Sequence, residues 1–304
     1  MASREFEGMM SGLVGGMVSS GDSTEVARDK LNALHGHPIA ADTTVEWIEL
    51  EAVRCARVGV PGTNAEAPLL FLCHGGAFIA AGGDGYLFYA EMLARACEAN
   101  VLLVDYRLAP DHLHPAARND CAAAYRGLIA SGQAPDDVIF IGDSCGGTLV
   151  VTSLVEIVAS GLPTPCAAVT LGGWFDLAEP SGPSDGPPGR DPFAHPDFTR
   201  ARGRDYVGPN GDPSDPSVSP VHANLKGLPP LLLQVGSVDL THGDAVRLRE
   251  VANACGVDVT LEVHPEMIHG FQGLASAGIP EAHDALARVA DFIRSRRSPH
   301  SRQP

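Results

Sequence analysis

The chain has 304 residues, 44% of them hydrophobic and 19% charged, which suffices for one large α/β domain with a generous core. Its formal net charge of −16 argues against nucleic acid and anionic membrane surfaces as partners and suits small neutral molecules. The seven cysteines, at 55, 73, 97, 121, 145, 166 and 255, are odd in number and form no C-x-x-C. They read as buried free thiols in a reducing, cytoplasmic compartment.

Met1 to about Leu34 is predicted as two helices. Phe6, Met9, Met10, Leu13 and Met17 mark an apolar stripe on the first. Asp22 with Glu25 resembles a capping box opening the second, which carries Val26, Leu31 and Leu34. Such a pair must lay its apolar face on something, either the core or the mouth of a site. Arg4, Glu5, Glu7 and the glycines at 12, 15 and 16 break any signal-peptide pattern, and no stretch reaches the length of a membrane span.

Thr44–Glu51 and Ala52–Val60 alternate as antiparallel strands do. Strands then alternate with helices: strand Leu69–Cys73, helix Tyr86–Glu98, strand Val101–Asp105, helix Arg118–Ala130, strand Val138–Ile141, helix Thr148–Ala159, strand Ala167–Leu171. Continuous apolar strands between amphipathic helices predict an α/β fold, a mostly parallel sheet covered on both faces. Asp176 to about Leu228 breaks the rhythm, with Pro187-Pro188-Gly189 and a helical stretch near Phe198–Tyr206, and reads as a lid-like insertion. Strand Leu231–Val235, helix Ala245–Cys255, strand Val259–Val263 and helix Glu281–Arg297 complete the chain.

The chemistry concentrates at strand ends. Gly142-Asp143-Ser144-Cys145-Gly146 lies between an apolar strand and an apolar helix, the setting of a G-x-S-x-G nucleophile elbow. Small residues two positions either side of Ser144 allow the strained turn, and the helix N-terminus behind it favours an oxyanion. Strand Leu69–Cys73 runs into His74-Gly75-Gly76-Ala77-Phe78, an HGG-type loop. Gly75, Gly76, Ala77 and Cys145 therefore form the expected oxyanion hole, with the N–H groups of Gly76, Ala77 and Cys145 as donors. Asp239 and His269 each follow a later strand, giving the order Ser, Asp, His of an α/β-hydrolase triad. An isolated pentapeptide, histidine or aspartate usually means an ordinary turn or a solvated side chain. Here four pieces fall in the expected order, each just past a strand. Asp244 is the rival acid. Asp105, Arg107, Asp143 and Asp176 read as structural anchors. Phe88, Phe175, Phe198 and Phe271 read as core or pocket wall, and Phe78 and Trp174 are the residues placed nearest substrate. No grouping has metal-ligand spacing and no cofactor fingerprint appears.

These motifs resemble the bacterial hormone-sensitive-lipase-like family of carboxylesterases. The likeness rests on His74–Phe78, on Asp105–His112 with Asp111 replacing a glutamate, and on Gly142–Gly147 with Cys145 replacing an alanine. It also rests on Trp174–Leu177 and on His269–Phe271, and so covers nearly the whole chain. Around the acid it departs, because Gly236 to Asp244 keeps only the first half of the family's pattern. The resemblance implies an eight-stranded sheet in one domain spanning 1–304 and a helical cap from 1–40 and 177–228. It further implies cofactor-free hydrolysis of short- to medium-chain esters, with a likeness to small esterases that include monoterpene ε-lactone hydrolases. A lactone or amide hydrolase with the same residues is an alternative, and a non-catalytic receptor on this fold a remote one. The expected partner is a small-molecule ester, without nucleic acid or membrane insertion. A homodimer would use 259–263 and the last helix.

Overall fold

A computed structural model describes residues 2–12, 18–19, 21–179, 182, 191–192 and 195–297. Helices Arg4–Gly12 (α1) and Thr24–His35 (α2) precede the sheet. Leu13 and Met17 of the expected stripe, and Pro187-Pro188-Gly189 of the insertion, lie outside the described residues. Phe6 is fully buried, while Met9 and Met10 are half-buried against the same cluster. The cap of α2 differs from expectation. Ser23 is the N-cap, its Oγ accepting from Val26 N–H at 3.3 Å, while Asp22 is turned to Lys30 at 2.8 Å. Ser23 stands at the right distance from an unpaired helix N–H, and the Asp22 carboxylate finds a cation instead.

Strands Thr44–Leu50 (β1) and Val53–Gly59 (β2) pair antiparallel around Glu51 and Ala52, whose φ angles of 45° and 64° make the tight turn. Leu69–Cys73 (β3), Asn100–Val104 (β4), Val138–Asp143 (β5), Ala167–Leu171 (β6), Leu231–Gly236 (β7) and Val259–His264 (β8) are parallel to one another. The strand order is β1-β2-β4-β3-β5-β6-β7-β8, with β2 antiparallel to β4. Strands β5, β6 and β7, mostly apolar, are buried throughout, because helices cover both sheet faces. Strand β8 forms one edge and leaves Val263 40% exposed.

Leu87–Cys97 (α3) and Pro280–Arg296 (α8) share one core cluster with the residues on one face of the sheet. Ala116–Ala130 (α4), Cys145–Ala159 (α5) and His242–Ala254 (α7) share the other. Helix α5 starts three residues earlier than its sequence pattern suggests. Its first turn holds Gly146 and Gly147, poor helix formers in isolation, but a Cβ at Gly146 would collide with the Cys73 carbonyl. Close approach between α5 and β3 selects glycine there. Helix Pro196–Val207 (α6) lies in the insertion. It meets α2 through Thr24 Oγ1, which donates to Asp205 at 2.9 Å.

Candidate active site

The β5–α5 junction raises Ser144 on a strained turn, with φ 53° and ψ −124°. The strain is held from outside: Ser144 N–H donates to Leu171 O at 2.9 Å, and Trp174 N–H donates to Ser144 O at 3.1 Å. Ser144 Oγ lies 2.9 Å from His269 Nε2, and His269 Nδ1 lies 3.0 Å from both carboxylate oxygens of Asp239. Asp239 is fully buried, and its Oδ1 also accepts from Thr241 N–H at 2.8 Å and Thr241 Oγ1 at 2.9 Å. The structure thus brings the three residues singled out in sequence into one hydrogen-bonded line. Asp244 stands apart from this line, its Oδ2 accepting from the N–H groups of Phe175 and Asp176 at 3.1 and 3.0 Å.

Burial alone would discourage a charge on His269. The Asp239 carboxylate outweighs it, helped by Asp191 and Asp143, and the imidazole is pushed up to about 9. Such a ring stabilises its own cation well, as a base that must hold a proton in mid-reaction requires. Asp191 Oδ2 also accepts from the His269 backbone N–H at 2.7 Å. Asp191 escaped the sequence reading because it sits in the insertion, where nothing periodic marks it.

The HGG loop faces the serine. Gly76, Ala77 and Phe78 have φ of 102°, 53° and 65°, a run of left-handed backbone that side-chain-bearing residues rarely adopt. Two buried contacts hold it. Gly75 N–H donates to Asp143 Oδ1 at 3.1 Å, and Phe78 N–H donates to Cys145 Sγ at 3.1 Å. Tyr86 OH donates to Asp143 Oδ2, so one buried carboxylate ties the loop, α3 and the elbow together. Burial raises Asp143 to about 6, opposed by the Tyr86 hydroxyl and the charge of His269. His74 itself is structural. Its ring stacks on Tyr106 at 4.0 Å, and burial pushes it down to about 4. The other expected anchors hold loops as well: Asp105 meets Arg54 at 2.9 Å, Arg107 meets Asp120 at 2.7 Å, and Asp176 meets Arg247 at 2.6 Å.

A cavity of about 240 Å³ opens on Ser144 and His269, walled by Leu31 and Leu34 of α2, Phe88 and Tyr89 of α3, and Leu274. The placement of Phe78 and Trp174 needs correction here. Neither lines this cavity. Phe78 is fully buried and stacks on Tyr206 at 3.8 Å, while Trp174, 3% exposed, packs behind it at 5.8 Å. Their large apolar rings are consumed by the core, and Phe88 takes the wall position instead. A larger cleft of about 700 Å³ lies by β1, β2 and the start of β3, away from the serine. Among the described residues no cluster could hold a metal ion, and no helix is long and apolar enough to cross a membrane.

A family profile described as the alpha/beta hydrolase fold matches residues 70–273, and the chain belongs to that family. An acetyl-hydrolase of Streptomyces hygroscopicus is 34% identical over 252 residues, covering 83% of this chain and 80% of the relative. An esterase of Acinetobacter venetianus is 32% identical over 251 residues, covering 82% of each. The crystal structure of an esterase from the bacterial hormone-sensitive lipase family superposes with a TM-score of 0.89 at 33% identity, covering 98% of this chain and 100% of that one. Within the α/β-hydrolase family this protein is a hormone-sensitive-lipase-like bacterial carboxylesterase, a carboxylic ester hydrolase.

Proposed function

We propose that the protein cleaves short- to medium-chain carboxylic esters through an acyl-enzyme on Ser144. The observation that carries this reading is the continuous line from Ser144 Oγ through His269 to buried Asp239, with contacts of 2.9 and 3.0 Å. His269 Nε2 takes the hydroxyl proton as Ser144 attacks the ester carbonyl. The N–H groups of Gly76, Ala77 and Cys145 receive the developing oxyanion, and each such donor is typically worth ~10²–10³ in rate. His269 returns the proton to the leaving alcohol, and Asp239 holds the ring and its charge. Water then follows the same route to release the acid. Helix α2, with the described part of 177–228, acts as a cap. Its Arg28 donates to the carbonyls of Ile79 and Ala109, both at 2.8 Å, and its Asn32 accepts from Ala81 N–H at 2.8 Å. The cap is therefore fastened to the flank of the oxyanion loop, next to the cavity.

Hydrolysis of p-nitrophenyl esters from acetate to decanoate tests the reading. Activity should peak at short chains and fall by roughly 10⁴–10⁶ in Ser144→Ala. A folded wild type inert to all of them would remove the simple-ester reading in favour of a lactone or amide substrate, and an active Ser144→Ala would remove the serine mechanism.

A further inference from the structure

The HGG loop needs an outside hold. Ala77 and Phe78 carry side chains at φ 53° and 65°, where left-handed backbone costs free energy. The loop also buries polar backbone groups, and these need partners. Gly76 O accepts from the N–H groups of Ile79 and Ala80 at 3.0 Å, and Phe78 O accepts from Ala109 N–H at 2.9 Å. His74 O accepts from Tyr106 OH at 2.7 Å. The Phe78 N–H is different. Its residue is fully buried, so water cannot serve it, and the acceptor it meets is a sulfur, Cys145 Sγ at 3.1 Å.

That sulfur couples two parts of the site. Cys145 follows Ser144 directly and opens α5, so one residue brings a backbone N–H to the nucleophile and a side chain to the facing loop. Its Sγ also lies 3.9 Å from His74 O, at the other end of the same loop. Burial pushes the thiol up to about 12, although the N–H groups of Phe78 and Ala77 favour charge on the sulfur, so it stays protonated. A protonated thiol keeps both a proton and lone pairs, and can accept from Phe78 N–H while donating towards His74 O. With alanine in its place, Phe78 N–H would be buried without an acceptor, a state that folded proteins avoid. The backbone would turn that N–H elsewhere, and the N–H groups of Gly76 and Ala77, next to it in the chain, would turn with it.

We propose that the Cys145 thiol is a positioning residue: by holding Phe78 N–H, its sulfur fixes the direction of the Gly76 and Ala77 N–H groups towards the oxyanion. The proposal rests on the reading of Ser144 as nucleophile and deepens it with a side chain that acts through the oxyanion hole. Donors turned slightly off line lose transition-state stabilisation and little ground-state binding.

The test compares Cys145→Ala with Cys145→Ser, which share the loss of the sulfur and differ by one acceptor oxygen. For p-nitrophenyl butyrate, kcat and KM are measured together with the inhibition constant of butylboronic acid, whose adduct on a nucleophilic serine is tetrahedral and anionic. In Cys145→Ala, kcat should fall about ten- to a hundredfold with KM within about twofold, and the boronic acid should bind more weakly by a similar factor. Cys145→Ser should recover most of both losses. A wild-type kcat in Cys145→Ala, a lower kcat with unchanged boronic acid binding, or a serine variant as impaired as the alanine one overturns the proposal. Ser144→Ala, measured alongside, separates the two readings. If it stays active, the nucleophile assignment falls and the proposal with it. If it is inactive while Cys145→Ala matches the wild type, the proposal alone falls. Should the wild type not turn over the ester, boronic acid binding alone decides. Should Cys145→Ala not fold, Cys145→Val, which fills the thiol's space without an acceptor, takes its place with the same outcomes.

Discussion

Ser144 stands at the end of a strand buried along its whole length, whereas Leu31 and Leu34 reach the same cavity from a helix tied down largely by side chains. The contrast is one of means. At the elbow, backbone meets backbone: Gly142 and Gly146 admit the chain at distances no Cβ would allow, and Ser144 is clamped at both N–H and carbonyl. At the entrance, Arg28 and Asn32 reach across to carbonyls and an N–H group, and the Arg28–Asp111 pair is 32% and 65% exposed. Groups that must be positioned for chemistry sit where packing leaves one solution. Groups that meet the variable part of a substrate sit where exchange of side chains is tolerated.

That contrast can be broken most sharply at Asp239. Asp239→Asn should lower kcat roughly 10⁴-fold, because the imidazole then loses both its orientation and its counter-charge. A near-normal rate in that variant, with the loss appearing in Asp244→Asn, would reassign the acid. Gly146→Ala comes next. Its new Cβ meets the Cys73 carbonyl rather than a flexible side chain, so we expect a stability loss of about 2–3 kcal/mol in denaturant titration and most of the activity gone.

The pH profile sharpens the comparison within the site. His269 is raised to about 9 and must be neutral to accept the serine proton, so kcat/KM should climb with pH and level off near that value. Asp191→Asn removes one of the charges that raise it and should move the limb to lower pH, with a far smaller loss of rate than Asp239→Asn. A limb that stays in place would show that Asp191 acts only through its hydrogen bond to the backbone.

Stability should follow pH in the same direction on the acid side. His35 and His74 are held near 4 in the folded chain but protonate near 6.5 when unfolded. The unfolded chain binds more protons in that window, so their contribution falls as pH drops from about 6.5 towards 4. His269, shifted upward, contributes stability that is present below about 6.5 and lost as pH rises through about 9. Urea midpoints at pH 5 and pH 7 measure the first effect, and His35→Gln should remove part of the slope. The smallest effect belongs to Arg28→Ala. Its ion pair is exposed and worth about 0–1 kcal/mol, and its two bonds to the Ile79 and Ala109 carbonyls add about 1–2 kcal/mol, so thermal stability should fall only modestly while KM rises through loosening of α2. A large drop in melting temperature would mean that the entrance is as integral to the fold as the elbow.

Much of the architecture was legible because it obeys local rules. Unbroken apolar runs announced the central strands, and glycine spacing announced the elbow and the HGG loop. The order of Ser144, Asp239 and His269 could be read because each follows a strand whose end fixes its place. Boundaries were less legible. Ser23 rather than Asp22 caps α2 because the Asp22 carboxylate turns to Lys30, and α5 begins at Cys145 because its first turn packs against the distant Cys73 carbonyl. Phe78, Trp174 and Phe88 are alike as apolar rings in sequence, and only packing decides which of them meets the cavity. Asp191 and Tyr86 carried no local signature at all, since what they do depends on groups dozens of residues away. Sequence alone determined the sheet and the residues of the reactive line, through periodicity and steric need for glycine. Tertiary structure alone decided which carboxylates tune His269 and which aromatic rings wall the cavity, because charge and packing act through space rather than along the chain.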